Sequence, residues 1–248
     1  MPSHTVPLRR KEQVAEGTVA FHFQRPAGFR FKAGQFIDVT LIDPPEMDAE
    51  GNTRSFSIAS APFETDLIIA TRLRDTAFKR VLNSLALGTE VSIAGPFGSF
   101  TLRQDSQPAI FLAGGIGITP FRSMLLQAFH DRIVRRFVLF YSNRRPEDAT
   151  FLEELQQLHR NAGGFRLIAT MTDMKKSRRP WEGESGRLNP AMLAKYVGEL
   201  HGPVYYVAGP PGLVSAMQEV LNAAGIKTND VVAEEFSGYE VQPLTQRA

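Results

Sequence analysis

The spacing of apolar residues changes once along this chain, and that change constrains its fold more than any other feature. Up to about residue 100, short β-branched or aromatic segments are separated by Gly, Pro and Asp clusters, as in antiparallel sheets. From Gln107 onward, apolar strands alternate with helical patterns, as in β-α-β units. With 248 residues the chain has room for two ordinary domains, so we expect one over 1–104 and another over 105–248.

The first half is predicted to be an antiparallel barrel or sandwich with one helix. The helix pattern runs from Asp75 to Leu85, with Phe78, Val81 and Leu82 at helical spacing. The predicted strands are Thr18–Gln24, Gln35–Ile42, Ser55–Ile58, Leu67–Arg72 and Glu90–Ile93.

The second half is predicted to be a parallel sheet covered by helices. The predicted strands are Ala109–Ala113, Arg136–Tyr141, Phe165–Thr170, Val204–Ala208 and Val231–Glu235. The predicted helices run from Pro120, Ala149, Pro190 and Gly212 to about Arg132, Arg160, Val197 and Ala224.

The clearest local signal is a glycine-rich turn between the predicted strand Ala109–Ala113 and the following helix. Gly114, Gly115 and Gly117 let backbone N–H groups approach a ligand closely, while Thr119 is predicted as the helix N-cap. Such a turn aims a helix N-terminus at an anion such as a pyrophosphate. The alternative is a tight β-α turn without a ligand, since Pro120 stands where the dinucleotide fingerprint has its third glycine.

Composition excludes several kinds of site. The chain has no cysteine, which excludes disulfides, a thiolate nucleophile and iron–sulfur clusters held by its own cysteines. The five histidines lack ligand spacing, so we expect no metal site. With 28 Lys and Arg against 26 Asp and Glu, nothing indicates nucleic-acid binding. No apolar leader or long apolar run indicates membrane insertion, and we expect a cytoplasmic protein.

A second local signal is Arg54-Ser55-Phe56-Ser57 at the start of a predicted strand. Arginine can bind phosphate in a bidentate manner, an aromatic ring can cover a flat ligand, and a serine hydroxyl can bond a ring nitrogen. Taken alone the motif is weak, since arginine beside serine is common at solvated strand edges.

Together with three further motifs, these signals resemble the landmarks of the ferredoxin–NADP reductase superfamily. In chain order they are Arg54–Ser57, Gly95–Gly98, Gly114–Pro120, Ala208–Gly212 and Glu235–Tyr239. The resemblance implies a flavin-binding antiparallel barrel of Greek-key type, followed by a nicotinamide-nucleotide-binding α/β domain with a parallel sheet.

The resemblance also implies roles for individual residues. Ser57, near flavin N5, and Thr119 are the expected catalytic residues. Cofactor contacts are implied for Arg54, Ser55, Phe56, Ser57, Thr71, Arg72, Leu73, Thr76, Ala77, Phe78 and Lys79 in the barrel. In the second half they are implied for Gly114, Gly115, Gly117, Thr119, Gly209, Pro210, Phe236 and Tyr239. The glycine pair and the serine that surround the flavin pyrophosphate in the family are absent from this sequence. The resemblance still implies a bound flavin, and we expect FAD in preference to FMN.

The function implied is that of an NAD(P)H-dependent flavoprotein reductase. Hydride would pass from the nicotinamide to bound flavin, and electrons then to a separate ferredoxin-like or flavodoxin-like protein or a small molecule. Alternatives are a reductase of free flavin and a non-catalytic nucleotide-binding subunit of a redox complex.

The choice between NADH and NADPH depends on one loop. Thr172-Asp173 occupies the place of the 2′-phosphate-binding pair of NADPH-specific relatives, which favours NADH. The basic run Lys175–Arg179 could instead bind phosphate or form a solvated loop, so the preference for NADH is slight.

Overall fold

The computed structural model describes residues 3–236, and its first half is an antiparallel sheet of six strands. The strands are β1 (Ser3–Ala15), β2 (Thr18–Gln24), β3 (Phe36–Leu41), β4 (Thr53–Ser57), β5 (Asp66–Arg72) and β6 (Glu90–Phe97), with helix α1 (Ala77–Ser84) after β5. Their order is β4-β3-β6-β1-β2-β5. The predicted antiparallel fold is confirmed, whereas strand β1 was missed.

The sheet curls so that its two ends meet. Just beyond β4, the N–H of Ala59 donates to the carbonyl of Ile68 in β5, 2.7 Å away. Alternate residues of β3 point inward, with Ile37 and Val39 fully buried. Phe78 of α1 is buried in the same core, so this helix is held against the barrel by its apolar face.

The second half is a parallel sheet of six strands with helices on both faces, as predicted. The strands are β7 (Ala109–Gly114), β8 (Phe137–Asn143), β9 (Phe165–Met171), β10 (Glu184–Ser185), β11 (Val204–Gly209) and β12 (Val231–Glu235), in the order β10-β9-β8-β7-β11-β12. The helices are α2 (Ile118–His130), α3 (Leu152–Asn161), α4 (Pro190–Val197) and α5 (Pro211–Ala223). Every residue of β7 and β11 is buried, which accounts for their unbroken apolar sequences.

The start of helix α2 differs from the sequence prediction. Thr119 is not the N-cap of α2: the helix begins at Ile118 after a 3₁₀ turn over Gly115–Gly117, and Gly117 is the N-cap. The Thr119 hydroxyl donates instead to the carbonyl of Ile116, 3.0 Å away.

The domain boundary after residue 104 stays a prediction, and it falls between the end of β6 and the start of β7. Within residues 3–236, no helix is long and apolar enough to cross a membrane.

Arg122 of α2 joins the two sheets through one buried side chain. Its guanidinium donates to the carbonyl of Ala59 at 2.8 Å and to the carboxylate of Glu64 at 2.9 Å, both on the barrel. It also donates to Glu154 of α3 at 2.7 Å and lies 4.9 Å from the ring centroid of Phe151. Because Ala59 and Glu64 belong to the connection between β4 and β5 whereas Glu154 belongs to α3, this side chain fixes how the barrel sits on the α/β sheet.

Apolar packing and a further hydrogen bond extend this interface. Ile116, in the glycine-rich turn, packs among buried barrel residues that include Ile68 and Ala70. The Ser123 hydroxyl, one residue after Arg122, donates to the carbonyl of Ser60 at 2.6 Å. The carboxyl edge of the parallel sheet is therefore held against one side of the barrel.

Replacing Arg122 with Ala should lower the free energy of unfolding by about 2 kcal/mol, because Glu64 and Glu154 would face each other without a counter-ion. Urea unfolding measures this. The control is Arg9→Ala, whose ion pair with Asp66 is largely exposed and should change stability by less than about 1 kcal/mol. Equal effects of the two substitutions would contradict a special role for Arg122.

Candidate functional site

A cavity of about 760 Å³ lies between the barrel and the α/β sheet. Its barrel wall consists of Phe36, Asp38, Glu50, Thr53, Arg54, Ser55, Phe56, Ser57, Ala70, Thr76 and Lys79. Its other wall consists of Ile116, Thr119, Glu234, Glu235 and Phe236. The volume lies within the range of small-molecule sites, and the second wall follows strands β7 and β12, where open α/β sheets bind ligands. We call it the interdomain cavity.

Strand β4 supplies an apolar surface and a hydroxyl to this cavity. Phe56 is largely buried and its ring centroid lies 5.9 Å from that of Phe78, which fixes its orientation. Ser57 is buried beside it. Ser55 is exposed and donates to the carboxylate of Asp38 on β3. The strand can therefore pack a flat ring against Phe56 and offer it the Ser57 hydroxyl.

Positive charge collects where helix α1 begins. Burial, together with the charges of Arg74, Arg54 and Arg72, lowers the pKa of Lys79 to about 8. Thr76 caps the helix by accepting from the backbone N–H of Lys79. Several cations beside a helix N-terminus form a site for an anion such as a phosphate or pyrophosphate.

Arg54 already has carboxylate partners in the loop between β3 and β4. Its guanidinium lies 2.9 Å from Asp48 and 2.9 Å from Glu50, and it also stacks on Phe78 at 5.1 Å. Any phosphate contact with Arg54 would therefore be made in competition with, or beside, these two acids.

Glu234 is a candidate site residue that sequence reasoning missed. It lies at the carboxyl end of β12, paired with Ala208 of β11. Burial raises its pKa to about 7, and a hydrogen bond from Ser57 acts in the opposite direction. Within the described residues its Oε2 atom has no hydrogen-bond partner. Its place after an apolar strand end, on the edge that binds ligands, is the signal that could have revealed it.

The glycines of the turn after β7 have different roles. A Cβ on Gly117 would lie 2.3 Å from the carbonyl oxygen of Ala208 and 2.7 Å from Cα of Gly209. Gly117 is therefore required by packing between two protein backbones, while its predicted cofactor contact stays a prediction. Gly115 differs, because it has a φ of +54° and nothing lies within 4 Å of the Cβ position.

Eight predicted site residues line the interdomain cavity: Arg54, Ser55, Phe56, Ser57, Thr76, Lys79, Thr119 and Phe236. Ten others do not line it: Thr71, Arg72, Leu73, Ala77, Phe78, Gly114, Gly115, Gly117, Gly209 and Pro210. Thr71, Ala77 and Phe78 are buried within the barrel. Phe236 is fixed by a hydrogen bond from its N–H to the carbonyl of Gly209 at 2.9 Å. Tyr239 lies outside the described residues.

The basic run after β9 is a structured loop, and three of its four cations have acidic partners. Lys176, Arg178 and Arg179 form ion pairs with Asp173, Glu16 and Glu153, respectively. Glu147 holds the loop by accepting from the Ser177 hydroxyl and from the backbone N–H groups of Arg178 and Arg179. Although partial burial acts in the opposite direction, these hydrogen bonds lower the pKa of Glu147 to about 2.

Comparison with known proteins connects this geometry to a group of reductases. Residues 111–219 match the family described as the oxidoreductase NAD-binding domain. The chain is 30% identical over 223 residues to the glycine betaine monooxygenase reductase subunit of Chromohalobacter salexigens, covering 88% of this chain and 60% of that protein. It is also 30% identical over 217 residues to the terephthalate 1,2-dioxygenase reductase component 2 of Comamonas, covering 86% and 62%. The chain thus spans about 60% of the length of these relatives.

Solved structures share the two-domain fold. The FAD/NAD-binding domain of nitric oxide dioxygenase from Vibrio cholerae has a TM-score of 0.80 at 18% identity, covering 94% of this chain and 98% of that one. A ferredoxin NADP+ reductase from Neisseria gonorrhoeae, with bound FAD and NADP, has a TM-score of 0.77 at 22% identity, covering 95% and 99%.

The Gly117→Ala variant should lose about 3 kcal/mol of stability, because the added methyl group overlaps the backbone of β11. Thermal and urea unfolding measure the change. Gly163→Ala is the matched control, since nothing lies within 4 Å of its Cβ position. If Gly117→Ala is as stable as the control, the turn after β7 does not pack closely against Ala208 and Gly209 of β11.

Glu234 should make stability depend on pH. Its pKa is near 7 in the folded protein and about 4.5 in the unfolded chain. Between these two pH values the carboxyl group holds a proton in the native state but not in the unfolded state. Its contribution is complete below pH 4.5 and is lost as the pH rises through 7. Between pH 5 and 8 the unmodified protein should therefore lose about 2 kcal/mol more stability than Glu234→Gln.

Urea unfolding at the two pH values tests this, with Glu219→Gln on the exposed face of α5 as the control for loss of one charge. Parallel pH profiles for the unmodified protein and Glu234→Gln would contradict the raised pKa.

Proposed function

We propose that the chain is a member of the ferredoxin–NADP reductase-like superfamily of flavoprotein reductases, an NAD(P)H-dependent flavin oxidoreductase that passes electrons to a separate acceptor. The observation that carries this proposal is the interdomain cavity, to which both sheets contribute. Phe56 and Ser57 come from the barrel, whereas Thr119 and Glu234 come from the α/β half. A flavin and a nicotinamide held from opposite sides could meet there.

The residues of the cavity fit a flavin nucleotide. Phe56 provides a flat apolar surface, Ser57 a hydroxyl, and the cations around the start of α1 a site for phosphates. Flavin accepts a hydride from a reduced nicotinamide and releases electrons singly or in pairs. Within this chain, Ser57 and Glu234 would position the reactive edge and exchange a proton, because they line the cavity from its two walls.

We propose FAD as the flavin. The cluster offers further cations, Arg72, Arg74 and Lys79, besides Arg54, which Asp48 and Glu50 bind, and this supports a pyrophosphate. The two structural neighbours named above are described with FAD, which agrees with this choice.

We propose NADH as the preferred donor. Three of the four cations of the loop after β9, Lys176, Arg178 and Arg179, are engaged with Asp173, Glu16 and Glu153, which leaves less positive charge for a 2′-phosphate. Gly115 leaves its backbone open at the end of β7, where it could approach the dinucleotide pyrophosphate.

The electron acceptor is proposed to be another redox protein. The two similar proteins named above are reductase components of a monooxygenase and a dioxygenase. The 248 residues contain no cysteine, so none of them ligates an iron–sulfur cluster through a thiolate. A ferredoxin-like or flavodoxin-like protein, or an oxygenase component, fits this role. We also propose that the protein is located in the cytoplasm.

A second candidate is a reductase that takes free flavin as its substrate. The contacts of Asp48 and Glu50 with Arg54 favour it, because both acids would repel the flavin phosphate that Arg54 attracts. A protein that purifies with stoichiometric flavin supports the bound-cofactor function, whereas one that purifies colourless but reduces added flavin supports this candidate.

The assay for the proposed function is reduction of ferricyanide by the purified, FAD-loaded protein with NADH or NADPH. We expect turnover with NADH, and Arg54→Ala should weaken FAD retention about tenfold through loss of a charge-assisted contact. Arg160→Ala, on the exposed surface of α3, is the control. If neither donor reduces the bound FAD, the proposal fails.

A further inference from the structure

The turn between β1 and β2 reaches from the barrel to the loops that follow β8 and β9 of the α/β sheet. The N–H of Glu16 donates to the carbonyl of Glu147 at 2.7 Å, which fixes the turn beside the end of β8. The Glu16 carboxylate lies 2.8 Å from Arg178 and 3.5 Å from Arg145. One acidic side chain of the barrel therefore reaches two cations of the other half.

Strand order shows which part of a dinucleotide would lie there. The interdomain cavity is lined by residues that follow β7 and by the end of β12. In the order β10-β9-β8-β7-β11-β12, the ends of β8 and β9 lie on the other side of β7. A dinucleotide with its nicotinamide in the cavity would extend across the carboxyl edge toward them, so its adenosine would approach Arg145 and the loop before Arg178.

Glu16 differs from the other acidic residues that bind these cations because it belongs to the barrel and not to the α/β half. Asp148 binds Arg145 from three residues away, and Asp173 and Glu153 bind Lys176 and Arg179 within the α/β half. Glu16 alone among these four acids belongs to the barrel. Its side chain is 43% exposed, so a ligand at this edge can reach it.

We propose that Glu16 is a specificity-determining residue that favours NADH over NADPH from across the domain interface. The 2′-phosphate of NADPH would need Arg178 or Arg145 as its counter-ion, but Glu16 occupies both and repels a second anion. The uncharged ribose of NADH meets no such repulsion. The proposal rests on the function proposed above and adds a determinant outside the nucleotide-binding half.

The test is the ratio of kcat/KM for NADPH to that for NADH in Glu16→Gln, measured by ferricyanide reduction with FAD-loaded protein. The ratio should rise about fivefold, the order expected for one half-exposed charge. Glu219→Gln, on the exposed face of α5, is the control for loss of one negative charge and should leave the ratio unchanged. In Glu16→Gln/Arg178→Gln the gain should disappear, because the released cation is gone.

A binding measurement separates this inference from the proposed function. Isothermal titration of the full chain with adenosine 2′,5′-bisphosphate and with adenosine 5′-monophosphate should show that Glu16→Gln strengthens binding of the bisphosphate alone. An unchanged NADPH:NADH ratio in an active enzyme, or equal changes for both donors, would overturn the role of Glu16. Absence of flavin reduction by either donor, with the bisphosphate still bound more tightly by Glu16→Gln, would overturn the proposed function alone.

Discussion

The buried guanidinium of Arg122 is the contact on which the site depends. It satisfies its donors with Ala59 and Glu64 on the barrel and with Glu154 on α3. A buried arginine must keep such partners, because an unpaired charge away from water is costly. The barrel and the parallel sheet are thereby held in one orientation, and that orientation brings Ser57 and Glu234 to the same cavity.

Burial at the interdomain cavity shifts the pKa values of two ionisable groups so that the neutral form of each is favoured. Burial lowers the pKa of Lys79 to about 8 and raises that of Glu234 to about 7. The two groups have different surroundings. Lys79 lies among other cations at a helix N-terminus, which suits a fixed anion. Glu234 has only the Ser57 hydroxyl as an opposing influence, and its pKa near neutrality suits proton exchange.

The sequence predicted those features that depend on local periodicity. The change from alternating segments to strand and helix units identified both halves, and Phe56, Ser57 and Thr119 do line one cavity. Strand β1 was not predicted because the residues in its middle are charged and exposed, so the alternation of apolar residues that marks a strand is absent there. Glu234 and the pairing of Glu16 with Arg178 escaped for another reason: the residues involved are far apart in the chain and meet only through tertiary contacts.

The glycine-rich turn shows why a ligand-binding motif can contain residues that serve packing. Gly117 lies against the backbone of Ala208 and Gly209, and a Cβ on Gly209 would come within 3.3 Å of Gly114. The turns after β7 and β11 therefore touch backbone to backbone, which only glycine allows at such distances. This contact places the end of β11 beside α2, and β12 pairs with β11 next to it. Glycine spacing here thus helps to set the position of Glu234, while Gly115 is the glycine of the turn after β7 whose Cβ direction is left open to a ligand.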